Sequence, residues 1–402
     1  MPDPQDQETS TSLDSVIAWL SDGAPGASRP ETVLDQLCRR LVRCGLPLHR
    51  VAVFVRTLHP NVMGRRFLWL RGKGVERTEA RYEVLESDDF LNNPLAVVFR
   101  TARPIRRHIA DPECPDDFQI IGELRAEGVS DYLVHPLTFT NGEVHAVSWT
   151  TKKPGGFGEA DLAALSAVRP ALSRLTEIYA LRRTAASLLE TYVGRGSGER
   201  ILKGQVRRGD TDAIEAVLLL SDLRDFTPLS DGLPGAQVIE LLNAYFDCLI
   251  PPIENHGGEV LKFLGDGLLA IFRLEGDGTT AGARCQAALT AAREALANLE
   301  AGNRSLRRDR RAVLKCGLAL HLGEVLYGNI GGSGRLDFTA IGPAVNLTAR
   351  LEGLTAELGH TLVASAAFAQ HCPDDLVPLG RFALKGIAQE QEVFGLPQPG
   401  GR

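Results

Sequence analysis

The sequence predicts a mixed α/β (α+β) protein of two domains joined by a helical linker. A chain of 402 residues is too long for one ordinary hydrophobic core. Hydrophobic residues at 44% and charged residues at 23% are ordinary globular values, which excludes wholesale disorder and fibrous architectures. Strand-like apolar runs alternate with amphipathic helical patterns in both halves. The predicted segments are a flexible leader over 1–25, a first domain over 26–180, a linker over 181–213 and a second domain over 214–398.

Composition also limits the class of function. No apolar run approaches the roughly 18 residues that a membrane span requires, and the first eleven residues lack the pattern of a signal peptide. The formal net charge of −6 argues against a protein that neutralises nucleic-acid phosphates. Seven cysteines without a CxxC pair indicate reduced thiols. We therefore expect a cytoplasmic protein that neither crosses a membrane nor binds nucleic acid.

The first domain begins with regular helix and strand patterns. After a short amphipathic stretch at Leu13–Leu20 in the leader, the periodicity predicts helices over Thr32–Cys44 and Pro94–Thr101 and strands over Arg50–Arg56 and Arg66–Arg71. Further along, two apolar stretches between Tyr132 and Thr151 flank Asn141-Gly142, which predicts a β-hairpin with a tight two-residue turn.

A long helix is predicted after this hairpin. Its apolar positions Leu165, Val168, Leu172 and Leu175 recur at spacings of three and four residues. This order of elements resembles a GAF-type sensor domain, which implies a regulatory domain with a small-molecule or ion ligand that the sequence does not identify. Trp69 and Trp149 fall in this half, and we interpret them as core residues rather than as walls of a ligand pocket.

The linker combines a helix and a glycine-rich stretch. Helical pattern continues over Glu177–Gly194, and the Gly and Arg content of Arg195–Asp210 predicts a flexible elbow. The helical arm either pairs with a second copy in a parallel dimer or packs on the sheet of the first domain. Both interpretations remain open.

Chemistry-bearing residues are concentrated in the second half. The apolar strand Val217–Leu220 runs directly into Ser221-Asp222-Leu223-Arg224-Asp225-Phe226-Thr227-Pro228. An amphipathic helix over Gly235–Ile253 follows, so this acidic segment lies on the N-terminal side of a helix. Helix N-termini offer free N–H groups to phosphate oxygens.

A second acidic turn follows at Gly265-Asp266-Gly267, which joins two apolar stretches within Glu259–Phe272 and predicts a very tight hairpin with Asp266 at its tip. Two carboxylates brought together repel each other unless a divalent cation lies between them. Mg²⁺ suits such a site because it takes a few carboxylates together with substrate phosphate oxygens. Taken alone, each aspartate is better explained as a turn former or a helix cap.

A third block, over 335–352, combines a strand end, a Gly-Pro turn and a helix start. It places Asn346 and Arg350 one helical turn apart on a shared face. In order along the chain, SDLRDFT, EVLKFLGDGLLAIF, GLALHLGEVLYGNIG and RLDFTAIGPAVNLTARLE closely resemble the class III adenylyl and guanylyl cyclases. The resemblance covers about residues 214–396 and implies a ferredoxin-like βαββαβ catalytic core with extra strands.

The resemblance implies a role for each matching position. Asp222 and Asp266 match the two metal-binding aspartates, with Leu223 beside them, and would hold two Mg²⁺ ions, or Mn²⁺, for cyclisation of ATP to cyclic AMP and pyrophosphate. Asn346 and Arg350 match the pair that acts on the ribose and the α-phosphate. The remaining substrate-binding positions are Phe226, Thr227 and Lys385, although Lys385 is equally well explained as an exposed lysine in a turn.

By the same resemblance, Lys262 and Thr339, the latter seven residues before Asn346, would recognise the base of the nucleotide. Asp337 is nearby, but the alignment on Asn346 favours Thr339. Lys262 can donate to adenine N1 and would oppose the N1–H of guanine, and guanylyl cyclases typically carry Glu and Cys at these two places. We therefore expect an adenylate cyclase. The alternatives are a guanylate or dual-specificity cyclase and a catalytically silent nucleotide-binding module.

The family builds each site from two copies, with the metal aspartates on one and the base-reading and Asn/Arg residues on the other. Since this chain carries the whole set, the resemblance implies a head-to-tail homodimer. One departure is Asp225, which stands where the family commonly has Gly and adds negative charge near the predicted triphosphate loop.

Overall fold

The computed structural model of this chain describes residues 12–274, 279–308 and 313–397. It divides into two compact units, Met1–Leu188 and Leu189–Arg402. Residues 1–11 of the predicted leader and residues 275–278, 309–312 and 398 of the predicted second domain lie outside the described residues. Within the described part of the chain, no helix is long and apolar enough to span a bilayer.

The N-terminal unit is a six-stranded antiparallel sheet with helices. Its strands are β1 (Arg50–Arg56), β2 (Gly64–Leu70), β3 (Gly74–Ala80), β4 (Ile105–Arg107), β5 (Asp131–Thr138) and β6 (Val144–Thr151), and a 3-10 helix covers Tyr82–Glu86. Its helices are α1 (Leu13–Ser21), α2 (Pro30–Arg43), α3 (Asp88–Leu91), α4 (Pro94–Thr101), α5 (Gln119–Ala126) and α6 (Glu159–Val193), the last of which extends beyond the unit. The strand order is β3-β2-β1-β6-β5-β4, and every pairing is antiparallel.

The core of this unit confirms the apolar stripe that the sequence predicted in α6. Leu165, Val168, Leu172 and Leu175 are all buried, and they pack with α2, β1 and β6. The tryptophans Trp19, Trp69 and Trp149 belong to the same core, which confirms core packing for the latter two. Helix α1, which coincides with the amphipathic stretch of the predicted leader, also contributes Val16 and Leu20 to this core, so residues 13–21 are packed where the sequence predicted a flexible segment.

The predicted hairpin is present, but its turn is longer than expected. Strands β5 and β6 pair antiparallel from Asp131–Thr151 to Thr138–Val144. The loop between them has three central residues, because the Phe139 N–H donates to Glu143 O and the Gly142 N–H donates to Phe139 O. Gly142 takes φ of 85°, as the last position of a three-residue hairpin loop requires.

The predicted elbow also differs from the structure, because Arg195–Leu202 forms helix α7. Ser197 fixes this helix to the C-terminal unit: its N–H and Oγ lie 2.8 and 3.0 Å from Glu259 Oε1, and its Oγ lies 3.1 Å from Tyr327 Oη. A Cβ at Gly196 would collide with the Glu259 carboxylate. The glycine that suggested flexibility instead permits close contact.

An ion pair with a buried carboxylate, Asp131, leads to a prediction about the stability of the N-terminal unit. Asp131 is fully buried and accepts hydrogen bonds from Arg106 Nη2 at 2.6 Å and from the Phe157 N–H at 3.0 Å. We expect Asp131→Ala to lower the free energy of unfolding of this unit by about 2 kcal/mol, since it leaves the buried Phe157 N–H without its acceptor and removes the carboxylate partner of Arg106, whose side chain is 38% exposed. Urea denaturation followed by tryptophan fluorescence measures this directly, because all three tryptophans of the chain lie in this unit.

The matched control is the neighbouring ion pair of Arg107 and Asp117. Its Nη2–Oδ2 distance is 2.5 Å, and the two side chains are 23% and 39% exposed. Asp117→Ala should cost less than about 1 kcal/mol, as exposed pairs usually do. Equal effects of the two substitutions would contradict a special contribution from the buried carboxylate.

The C-terminal unit, after α7, is built on an eight-stranded sheet. Its strands are β7 (Thr211–Leu223), β8 (Glu259–Leu264), β9 (Gly267–Arg273), β10 (Cys316–Gly331), β11 (Leu336–Ile341), β12 (Leu362–Ser365), β13 (Val377–Phe382) and β14 (Gln391–Gly395). Its further helices are α8 (Phe226–Asp231), α9 (Gly235–Asn255), α10 (Ala281–Arg308), α11 (Pro343–Glu357) and α12 (Ala366–Ala369).

The topology confirms the predicted βαββαβ core. Strands β10-β7-β9-β8 are adjacent and antiparallel, which is the 4-1-3-2 order of that core, and β12, β14 and β13 extend the sheet beyond β10. Helices α9 and α10 pack on one face, against residues such as Val217 and Leu320. Helix α11 packs on the opposite face through Leu351 and Leu354. Since side chains alternate along a strand, the face that carries Leu218 and Leu220 also carries Asp222.

Candidate active site

Asp222 lies near the end of β7, between two glycines. On β10 it pairs with Gly317, and on β9 Gly267 precedes Leu268, which pairs with Ser221. A Cβ at Gly267 would lie 2.9 Å from Asp222 Oδ1, and one at Gly317 would collide with Thr355 and Glu352. The two glycines, one on each neighbouring strand, thus leave space around the Asp222 carboxylate that a larger side chain at either position would fill.

Asp266 immediately precedes Gly267, the glycine on β9 that adjoins Asp222. The hairpin between β8 and β9 has the two-residue loop Gly265-Asp266, in which Gly265 takes φ of 69°. The pKa of Asp222 is raised to about 6 by its burial and by repulsion from the Asp266 carboxylate, while the Leu223 N–H opposes this shift. The Asp266 carboxylate is therefore close enough to repel that of Asp222, and a cation between them would relieve the repulsion.

Glu352 is a third carboxylate in this neighbourhood and one that the sequence analysis did not assign. It lies on α11, and its pKa is raised by burial and by Asp222. Glu352 follows Arg350 by two positions, which places the two side chains about 200° apart around a helix. This spacing could have identified Glu352 from the sequence, because one of the two residues must face the sheet if the other faces solvent.

Asn346 and Arg350 lie one turn apart on α11, and both are exposed. Thr348, Leu351 and Thr355 form the buried face of the same helix. Helix α11 therefore presents Glu352 toward Asp222 of its own chain and turns Asn346 and Arg350 outward.

The segment after Asp222 contains the predicted phosphate loop. The Gly235–Ile253 helix is confirmed as α9, but a separate six-residue helix, α8, precedes it and begins at Phe226. Phe226 packs against the core and Thr227 is exposed. Asp225 takes φ of 59°, in the left-handed region, and its side chain is exposed. That conformation explains why glycine suits this position and why Asp, which tolerates it, can replace glycine.

Lys262 lies on β8 beside an irregularity in the ladder. The register shifts between Val260 and Lys262, so Leu261 is the extra residue of a bulge. Lys262 Nζ donates to Asp337 Oδ2 on β11 at 2.8 Å. Thr339, on the same strand, is buried, and its Oγ1 has no hydrogen-bond partner among the described residues.

Lys385 lies in an exposed turn between β13 and β14, where the Ile387 N–H donates to Leu384 O. Its direct neighbour Gly386 takes φ of 83°. This placement fits both of the interpretations that the sequence left open.

The residues present fit a divalent cation. Within the described residues, no three His, Cys, Asp or Glu side chains are gathered closely enough to hold a metal ion by themselves. Asp222 and Asp266 supply two carboxylates, and the apolar Leu223, which follows Asp222 on β7, has only its main-chain carbonyl to offer as a ligand. Mg²⁺ prefers few protein carboxylates with the other ligands supplied by water or substrate, so the incomplete protein set matches its chemistry.

Comparison with known proteins identifies the domain that carries this site. Residues 211–395 match the family described as adenylate and guanylate cyclase catalytic domain. Adenylate cyclase 1 of Rhizobium meliloti (strain 1021) is 30% identical over 183 residues, which are 45% of this chain and 27% of that protein. The adenylate cyclase of Anabaena cylindrica is 30% identical over 182 residues, which are 44% of this chain and 34% of that protein.

Among solved structures, the adenylyl cyclase CyaB from P. aeruginosa is 25% identical, with 47% of this chain and 96% of that chain covered and a TM-score of 0.42. The alignments to the curated relatives cover only about a third of those proteins or less. The family match contains every residue of the site described above. Residues 211–395 are therefore a class III adenylate/guanylate cyclase catalytic domain.

Proposed function

We propose that this chain is an adenylate cyclase that converts ATP to 3′,5′-cyclic AMP and pyrophosphate at a site shared by two copies. The observation that carries the proposal is the repulsion between the carboxylates of Asp222 and Asp266, in the space left by Gly267 and Gly317, inside a cyclase catalytic domain. When bound, a pair of Mg²⁺ or Mn²⁺ ions would acidify the ribose 3′-hydroxyl and neutralise the triphosphate. No nucleophile from the protein is needed.

The chain's own groups orient and stabilise the reacting atoms. Asp222, Asp266 and the Leu223 carbonyl hold the cations, and the backbone around Phe226 and Thr227 receives the triphosphate. Asn346 orients the ribose, and the Arg350 guanidinium stabilises the charge that develops on the α-phosphate. In this proposal Lys385 approaches the terminal phosphates.

The exposure of Asn346 and Arg350 supports a shared site. Helix α11 places Glu352 against Asp222 of the same chain, while Arg350 points away from the sheet that carries it. A head-to-tail homodimer would bring Arg350 of one copy to the aspartates of the other, and a two-fold axis makes two equivalent sites.

Adenine preference rests on Lys262. Its ammonium can donate to N1 of adenine, whereas guanine presents an N1–H donor at the same place. A guanylate or dual-specificity cyclase remains the second candidate because the Thr339 hydroxyl can both donate and accept, so it does not itself separate the two bases.

We further propose that the N-terminal unit is a GAF-like sensor that regulates the cyclase. Its support is a separate core on a six-stranded antiparallel sheet, followed by the long helix α6. Its ligand would be a small molecule or ion.

A direct assay tests the activity. The purified full-length chain is incubated with ATP or GTP and with Mg²⁺ or Mn²⁺, and the cyclic product is identified by chromatography, with Arg350→Ala as the inactive control. We expect cyclic AMP from ATP. Cyclic GMP as the main product would favour the second candidate, and no cyclic product from either nucleotide would indicate a silent nucleotide-binding module.

A further inference from the structure

A cavity in the N-terminal unit lies between its sheet and two helices. Its volume is about 670 Å³, and it is bounded by α2, α6 and one face of β1, β2 and β3. All of its lining residues fall within 28–186, inside this unit. The opposite face of the sheet packs against α4 and α5 through Val98, Ile121 and Leu124. The volume of the cavity is in the usual range of small-molecule sites, roughly 300 to 1,000 Å³.

One end of this cavity is apolar. The cross-strand partners Val53 and Phe67 line it on the sheet side, and Leu172 and Leu175 of α6 line it on the helix side. Val53, Leu172 and Leu175 also belong to the hydrophobic core of the unit, so packing fixes their positions. These side chains offer no hydrogen-bond donor or acceptor, and this end therefore favours an apolar group.

The other end of the cavity has an excess of positive charge. Arg65 Nε lies 2.8 Å from Glu79 Oε1. This hydrogen bond and the charges of Arg77 and Arg183 lower the pKa of the Glu79 carboxyl group. Three guanidinium groups, on β2, β3 and α6, therefore lie around one carboxylate. The charged residues of the whole lining are five arginines and two glutamates, an excess of three positive charges: Arg29, Arg65, Arg77, Arg182, Arg183, Glu31 and Glu79. This end favours an anionic group.

Helix α6 runs past both ends of the cavity. Leu172 and Arg183 are eleven residues apart on it, which is close to three full turns, so both side chains lie on the same face of the helix. The same interval spans roughly 16 Å along the helix axis. An inorganic anion would use only the arginine end, and a neutral hydrocarbon would use only the apolar end. An elongated molecule with an acidic head and an apolar tail uses both.

We propose that this cavity binds an amphiphilic carboxylate, with its carboxylate among Arg65, Arg77 and Arg183 and its apolar tail between Phe67 and Leu172. The fork of a guanidinium matches a carboxylate in two parallel hydrogen bonds, and burial of the tail adds the hydrophobic contribution. This rests on the sensor role proposed for the N-terminal unit, and it names the chemical class of the small molecule and the place where it binds.

Titration calorimetry on the full-length chain tests the proposal with ligands that share one tail: dodecanoate, dodecanol and dodecyltrimethylammonium. Dodecanoate should bind once per chain. Dodecanol should bind at least about 10-fold more weakly, because it cannot form charge-assisted hydrogen bonds with both charges present. Decanoate, with two methylene groups fewer, should also bind about 10-fold more weakly than dodecanoate. Equal affinities for the carboxylate and the ammonium would overturn the proposal.

Two substitutions separate the head from the tail. Arg183→Gln, at an exposed position of α6, should weaken dodecanoate binding about 10-fold and leave dodecanol binding unchanged. Ala180→Phe places a ring in the cavity and should abolish binding of both ligands. The matched control is Arg100→Gln, an exposed arginine of α4, which should keep the wild-type Kd.

Thermal unfolding shows whether each variant is folded, and Arg183→Gln keeps the test decisive if Ala180→Phe does not fold. A wild-type Kd for dodecanoate in folded Arg183→Gln would overturn the placement of the head. Equal weakening in Arg183→Gln and Arg100→Gln would show a general effect of surface charge and would contradict the proposal.

Calorimetry also separates failure of this inference from failure of the proposed function, because it needs no catalysis. If the chain forms no cyclic product but binds dodecanoate as described, the cyclase proposal fails and the inference stands. If the chain forms cyclic AMP and does not bind dodecanoate, the inference alone fails. The rate of cyclic AMP formation should change at saturating dodecanoate in wild type and stay constant in Ala180→Phe. The same change in both chains would contradict a sensor role for this cavity.

Discussion

Asp222→Asn is expected to lower kcat by at least about 100-fold, because even residues that only support a metal ligand usually contribute 10- to 100-fold. The amide keeps the shape of the carboxylate and loses the charge that attracts the cation. Steady-state cyclic AMP formation at saturating ATP and Mn²⁺ measures the loss. Asp247→Asn, an identical change at an exposed position on α9, is the control and should keep wild-type activity.

The same variant should gain stability in the absence of metal, and the gain should depend on pH. Burial and Asp266 raise the pKa of Asp222 to about 6 in the folded chain. In the unfolded chain the same carboxyl group ionises with a pKa of about 4. Ionised Asp222 therefore destabilises the fold at pH 7.5, and this effect disappears as pH falls below about 4. Scanning calorimetry should show a higher Tm for Asp222→Asn at pH 7.5 and a much smaller difference at pH 4.5.

Addition of Mn²⁺ should reverse the order of the two Tm values, so that wild type becomes more stable than Asp222→Asn. Wild type gains stability from a cation that binds only the folded state, and the variant gains less. A variant with a lower Tm than wild type in metal-free buffer at pH 7.5 would contradict a pKa of Asp222 raised by burial and by Asp266.

Two inactive chains should restore activity when they are combined. Coexpressed Asp222→Ala and Arg350→Ala chains should give about a quarter of the wild-type activity per chain, since random pairing makes half of the dimers mixed and each mixed dimer has one intact site of two. Activity of the whole coexpressed mixture measures the recovery, and mixed dimers isolated through two different affinity tags should reach about half of the wild-type activity per chain.

The control for this experiment is the mixture of Asp222→Ala with Asp266→Ala. Both changes damage the metal-binding half of a site, so each site of the mixed dimer lacks one aspartate and no recovery is expected. Recovery in both mixtures, or in neither, would count against sites that join the aspartates of one copy to Arg350 of the other.

The sequence predicted the elements of the catalytic unit well where local patterns determine them. The apolar run Val217–Leu220 forms part of β7, and the periodic stripe before Asn255 forms α9. The turn at Gly265-Asp266 was also predictable, because a two-residue loop with glycine first has few alternatives. Its consequence, Asp266 beside Asp222, followed from the family resemblance.

Features that depend on distant partners were not predictable. Helix α7 contains three glycines, counting its cap at Gly194, yet it forms because Ser197 meets Glu259 more than sixty residues away. The same holds for Lys262, whose partner Asp337 depends on the bulge at Leu261 and on the pairing of β11 with β10. Local propensity carries no information about such registers.

Helix α11 has a consequence for cooperativity in the proposed dimer. In that dimer this single helix, which carries Glu352 near Asp222 of its own chain, would bring Arg350 into the site of the other copy. If nucleotide binding at one site tilts helix α11, the Glu352 carboxylate or the Arg350 guanidinium at the second site of the dimer must move as well. Occupancy of the first centre should therefore alter the affinity of the second, and a Hill coefficient different from one is the natural signature of that arrangement.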